Sequence, residues 1–107
     1  MIGSVLFRTR GGPTHGWGNI FRLGAFAEYC RAQGARDLIF AVEGPVEVHR
    51  WLKDRGFDVL GLPEEISVEE EQRILCEKGP FAAVIMEMLD VTWERQQMLK
   101  GLADQVV

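Results

Sequence analysis

The segment Gly16-Trp17-Gly18-Asn19 lies between a short apolar run, Val5-Leu6-Phe7, and a stretch of helical periodicity that begins at Ile20. Glycines there leave backbone N–H groups and the positive end of the following helix open to an anion. The alternative is a tight turn that merely requires positive φ, because a Gly-x-Gly pair alone is a weak signal. Phe21 stands where the dinucleotide fingerprint has its third glycine, which argues against a nicotinamide cofactor, and no other cofactor is expected. Asn19, directly before the periodic run, is expected to cap the helix. Arg22 falls in the first turn, where a cation gains nothing from the helix dipole. It is therefore expected to touch a phosphate or sugar, or to pair with Glu87 or Asp90 across a crevice. Arg8, Arg10 and Arg22 would make a basic patch of a size suited to a nucleotide or sugar phosphate.

Trp17 has two readings, stacking on a sugar or base and folding onto the first helix. His15 is the nearby side chain of a type that takes up a proton near neutral pH, and is either a candidate base or a solvated loop residue. His49 is expected at the surface or boundary of the second helix. Two histidines and two cysteines, Cys30 and Cys76, show no metal-ligand spacing, so no metal site is expected, and both thiols are read as reduced, partly buried apolar side chains.

These residues need a scaffold, and the pattern supplies one. Val5-Leu6-Phe7 reads as a buried strand, and Ile20, Leu23, Gly24 and Ala27 lie on one helical face that ends at Gly34. Leu38 to Val42 is the next strand, followed by a helix to about Arg55 with Val48, Trp51 and Leu52 inward. Phe57 to Leu62 is a third strand, and Ser67 with Glu70 has capping-box spacing before a helix through Cys76. Ala82 to Met88 is a fourth strand, and a helix from about Thr92 to Leu102 carries Trp93, Leu99 and Leu102 as apolar positions. The Glu69-Glu70-Glu71 run is the one dense charge run. Strand and helix alternate four times, so residues 1–107 are expected to form one α/β domain, a three-layer, Rossmann-like parallel sheet of four strands in the order 3-2-1-4, with a short fifth strand as the alternative. Loops at the C-terminal edge of such a sheet form the ligand crevice. Gly12, Gly16, Trp17, Gly18, Asn19, Arg22, Glu87 and Asp90 are expected to line it.

The stretch from Gly16 to Glu28, with Phe7-Arg8 before it and Gly34 after it, resembles the Gly-x-Gly-His-x-x-Arg signature of the sugar-nucleotide hydrolases of pseudaminic acid biosynthesis and the related spore coat polysaccharide biosynthesis proteins. The segment from Met86 to Glu94 resembles the stretch after that family's fourth strand. The resemblance spans nearly the whole chain and the N-terminal half of the family. It implies the N-terminal domain of a glycosyltransferase-B-like architecture, a UDP-acetamido sugar as ligand, and hydrolytic release of that sugar. The family's histidine, expected in proton transfer, is here Asn19, an amide that orients water or a hydroxyl but takes no proton. Glu87 replaces the family's Asp, Leu89 an aromatic residue, and Arg10 an acidic residue, so the resemblance implies altered or lost activity, with Asn19 and His15 at the catalytic positions. The alternative is a non-catalytic module that binds a nucleotide sugar or a protein.

Formal charge is -4, from 12 basic and 16 acidic residues, which disfavours a phosphate backbone as partner. No run approaches the roughly 20 apolar residues that cross a bilayer, so no membrane contact and a cytoplasmic location are expected. The fourth strand is apolar on both faces, and Val106-Val107 are too few for an ordinary strand. The edge of the fourth strand is therefore expected to be open beside apolar Trp93, Met98 and Leu102, and to be covered by a second α/β domain or subunit, a homodimer being the commonest closed form.

Overall fold

The computed structural model describes residues 4–13, 15–88 and 91–106. The chain runs β1 (Ser4–Arg10), α1 (Gly18–Ala32), β2 (Leu38–Glu43), α2 (Val46–Lys53), β3 (Asp58–Leu62), α3 (Val68–Lys78), β4 (Phe81–Glu87), α4 (Trp93–Lys100) and β5 (Ala103–Val106). The strands form one parallel sheet in the order β3-β2-β1-β4-β5, a Rossmann-like α/β fold.

Because side chains alternate along a strand, each central strand feeds two cores. Phe7, Phe40 and Val42 point to one face, where Ile20, Leu23 and Ala27 of α1 and Val48 and Leu52 of α2 cover them. Phe7 and Phe40 stack with centroids 4.9 Å apart. Leu6, Ala41 and Val84 point to the other face, under Leu75 of α3 and Met98 and Leu99 of α4. Each such fully buried leucine or phenylalanine contributes about 1.5–3 kcal/mol through loss of apolar surface from water. Gly24 brings α1 against α2, since a Cβ there would meet Trp51 Cζ3 at 3.1 Å.

Local signals account for the ends of several elements. Gly34, at φ 99°, turns the chain after α1, and Ser67 Oγ accepts the Glu70 N–H at the start of α3. Only half of the capping box forms, because the Glu70 carboxylate turns to Arg73, 3.2 Å away.

Five expectations are corrected. β1 does not stop at Phe7 but continues through Arg8 and Arg10, because Arg8 finds carboxylate partners inside the fold. Met98 and Leu102, expected on open apolar surface, are buried, whereas Trp93, expected beside them, begins α4 at 72% exposure. Cys76 is exposed, whereas Cys30 is half-buried as expected. α2 ends at Lys53, and Arg55 instead lays its guanidinium over Trp51, 3.5 Å from the ring centroid. The open edge of β4 is covered by β5, which pairs with Phe81, Ala83 and Val84, so the strand edge expected to drive self-association is occupied over that length. Among the described residues, no helix is long and apolar enough to cross a membrane.

Candidate functional site

In the order β3-β2-β1-β4-β5 the chain leaves β1 toward β2 through α1 and later returns to β4 on the other side of β1. The C-terminal ends of β1 and β4 are thus the switch point at which folds of this type open a crevice. The loop after β1 is built of close backbone contacts. Gly11 N–H donates to Glu43 O at 3.1 Å, and Gly12 and Gly16 exchange N–H···O bonds of 2.9 and 2.6 Å. Of the two glycines expected to present an N–H to an anion, Gly16 therefore spends its own on Gly12. Gly12, at φ 117°, and Gly16, at φ 79° with nothing within 4 Å of a would-be Cβ, both need glycine's freedom in this loop.

The donors that remain lie at the start of α1. Trp17 is the N-cap, no side chain caps the helix, and its first turn holds no acidic residue. Asn19 is not the cap expected from its position: Gly18 already has helical geometry, and the Asn19 side chain turns to Arg22, accepting from Nη2 at 2.8 Å. Arg22 Nε lies 2.5 Å from Glu87 Oε1, and Thr9 Oγ1 donates to Glu87 O at 2.8 Å. Asn19, Arg22 and Glu87 thus form a chain from the α1 start to the ends of β4 and β1. Of the two partners weighed for Arg22, the carboxylate is the one engaged, yet its side chain remains 65% exposed and open to a ligand. Gly18 makes room for it, as a Cβ there would lie 3.2 Å from Arg22 Nη1. Trp17 stacks on Phe21 at 5.7 Å, so the indole folds onto helix α1. Asp90 lies outside the described residues. The cluster offers hydrogen-bond donors and a cation; Asn19 supplies no base.

Arg8 and Arg10 do not join Arg22 in one patch. They point to the α3/α4 face, where Arg8 is fully buried against Glu43 Oε1 at 3.0 Å and Glu71 Oε2 at 2.8 Å. Arg95 of α4 closes the group by pairing with Glu71 and donating to Ile66 O at 2.8 Å. Arg10 Nη2 reaches Glu43 Oε1 at 3.3 Å. The spacing Leu6, Arg8, Arg10 carries the one sequence signal of this group, since residues two apart on a strand share a face. Above it opens a cavity of about 600 Å³ lined by Arg10, Arg95, Glu43 and Ile66, with His15 and Glu65 among its outer residues. His15 therefore faces this cavity rather than Asn19. His49 is half-buried, its Nε2 3.1 Å from Val42 O.

Burial pulls the Arg8 guanidinium below its ordinary range, and the hydrogen bond and charge of Glu43 offset part of this. Burial would raise the Glu43 carboxyl, but hydrogen bonds from Arg8 and the Glu65 N–H, with the charges of Arg10 and Arg8, outweigh it and hold the group below its ordinary value. A carboxyl with a folded pKa below its unfolded one stabilises the fold above the unfolded value of 4.5. That contribution is lost as pH falls through the folded value. Arg8 and Arg95 are both shifted downward, but guanidiniums stay protonated in proteins and so do not enter this window. Urea unfolding at successive pH values is expected to show stability falling from about pH 5 downward, and more shallowly in Glu43→Gln.

The chain matches no protein-family model, no curated protein and no solved structure in the comparisons made.

Proposed function

We propose that this chain is a sugar-nucleotide hydrolase-like domain of polysaccharide or nonulosonic acid biosynthesis that binds a UDP-acetamido sugar at the β1/β4 switch point without hydrolysing it alone. The observation that carries this reading is the Asn19–Arg22–Glu87 chain, which sets an exposed guanidinium beside the uncapped start of a 15-residue helix. A phosphate gains there from the helix N–H groups, the dipole and the Arg22 charge together. Asn19 holds the position from which the resembled family would move a proton, and its amide orients a hydroxyl instead. A second α/β domain facing this edge would complete the enclosure that small-ligand sites use, so affinity for the isolated chain is weak.

Titration of ¹⁵N-labelled protein with UDP and UDP-N-acetylglucosamine tests this. The expected result is progressive shifts of Gly16–Arg22 and Glu87 with no release of UDP over hours. Shifts confined to other parts of the chain would refute the site, and steady UDP release would refute the loss of catalysis.

A further inference from the structure

On the α3/α4 face, opposite the Asn19–Arg22–Glu87 chain, the connected buried group holds three guanidiniums, Arg8, Arg10 and Arg95, against two carboxylates, Glu43 and Glu71, among the described residues. Both carboxylates are fully engaged. Glu43 Oε1 takes Arg8 and Arg10, and its Oε2 takes the Glu65 N–H at 2.6 Å. Glu71 takes both Arg8 and Arg95. One positive charge is left over within this connected group, where buried charges normally occur paired; the other carboxylates along the cavity, Glu64 and Glu65, are solvent-exposed. The surplus has a location. Arg10 Nε is buried and has no hydrogen-bond partner among the described residues, a rare condition for a donor of this kind. Arg10 and Arg95 both line the 600 Å³ cavity, with side chains 15% and 11% exposed. Arg95 is held below its ordinary range by burial and then by the like charges of Arg8 and Arg10, so an anion between the arginines would relieve repulsion already present.

We propose that this cavity is a second ligand site, which takes a compact oxyanion, the phosphate or carboxylate of a small molecule, on Arg10 and Arg95. Guanidinium N–H groups of Arg10 and of Arg95 donate to separate oxygens of the anion, the charge-assisted hydrogen bonds that guanidiniums make to such groups. Exposed Glu64 and Glu65 at the mouth disfavour extended polyanions and favour a single oxyanion on an otherwise neutral body. The site lies on the other face of β1 from the proposed sugar-nucleotide site and stands independently of it.

The test monitors arginine Nε–H and backbone N–H signals during titration with sodium phosphate, and separately with sodium acetate, against sodium chloride of equal ionic strength. Expected are saturable shifts of Arg10 Nε–H, Glu65 and Ile66, tighter for whichever source the site prefers, with a midpoint separate from that of any shift at Gly18–Arg22. Arg10→Gln should abolish saturation, and Arg10→Lys, which keeps the charge but lacks Nε–H, should weaken it about tenfold; unchanged signals from Leu6 and Phe40 verify the fold in each. Arg10 Nε–H unmoved by either anion, equal saturation in Arg10→Gln, or shifts confined to Gly18–Arg22 and Glu87 would each overturn the site. A failure of UDP to move Gly16–Arg22 would sink the sugar-nucleotide reading and leave this one standing.

Discussion

Replacing Glu71 with alanine is expected to cost about 3–5 kcal/mol, the range for removing one partner from a buried, hydrogen-bonded ion group. Arg8 and Arg95 would lose the carboxylate they share, and Arg8 has no route to water. For a domain of this size that is a large part of a total stability of roughly 5–15 kcal/mol, and it should lower Tm by roughly 15–30 °C. The control is one residue away. Glu70 forms an exposed pair with Arg73, and its replacement by alanine should change stability by less than about 1 kcal/mol. Urea unfolding of both variants measures the difference, and equal values for Glu70→Ala and Glu71→Ala would show that the buried group does not hold α3 to the sheet.

That contrast also explains why the ion group was hidden in the chain. Glu69, Glu70 and Glu71 read as one dense charge run, and helical periodicity alone places Glu71 on the face of Leu75 without saying what would meet it. Its partners lie 63 and 24 residues away, brought together only when α3 and α4 settle on the same face of β1. The alternation of strand and helix was legible because buried parallel strands are continuous apolar runs, as in Leu38 to Val42, and because Ser67 and Gly34 act through local geometry. β5 was legible only as an alternative, since Ala103-Asp104-Gln105-Val106 has no such run and is fixed by pairing with β4. At the candidate site, the Arg22–Glu87 pair was among the weighed alternatives. The loss of the Gly16 N–H to a bridge with Gly12 depends on loop path, which spacing does not encode.

The loop path depends in turn on Gly44, and Gly44→Ala is expected to cost roughly 3 kcal/mol, at the upper end of ordinary overpacking. A Cβ at Gly44 would sit 2.4 Å from Gly11 O and 3.4 Å from Gly11 C, and these are backbone atoms that cannot rotate aside. Relief requires the two strand-end loops to separate, and they are tied at that point by the Gly11 N–H···O bond to Glu43. Gly12 lies next to the contact, with Pro45 Cδ 2.6 Å from its own would-be Cβ, so the displacement passes into the Gly12–Gly16 bridge and from there to the start of α1. Gly16→Ala provides the comparison. Its would-be Cβ meets nothing within 4 Å, and only the left-handed backbone at φ 79° is penalised, by about 1–2 kcal/mol. The two variants should also differ in what they move. In spectra of the free protein, Gly44→Ala should shift Asn19 and Arg22, more than 20 residues away in sequence, whereas Gly16→Ala should disturb mainly its own turn. If Gly44→Ala unfolds at the same urea concentration as the parent and leaves Asn19 and Arg22 unmoved, then the close approach of the β1 and β2 loops does not set the geometry of the switch-point site.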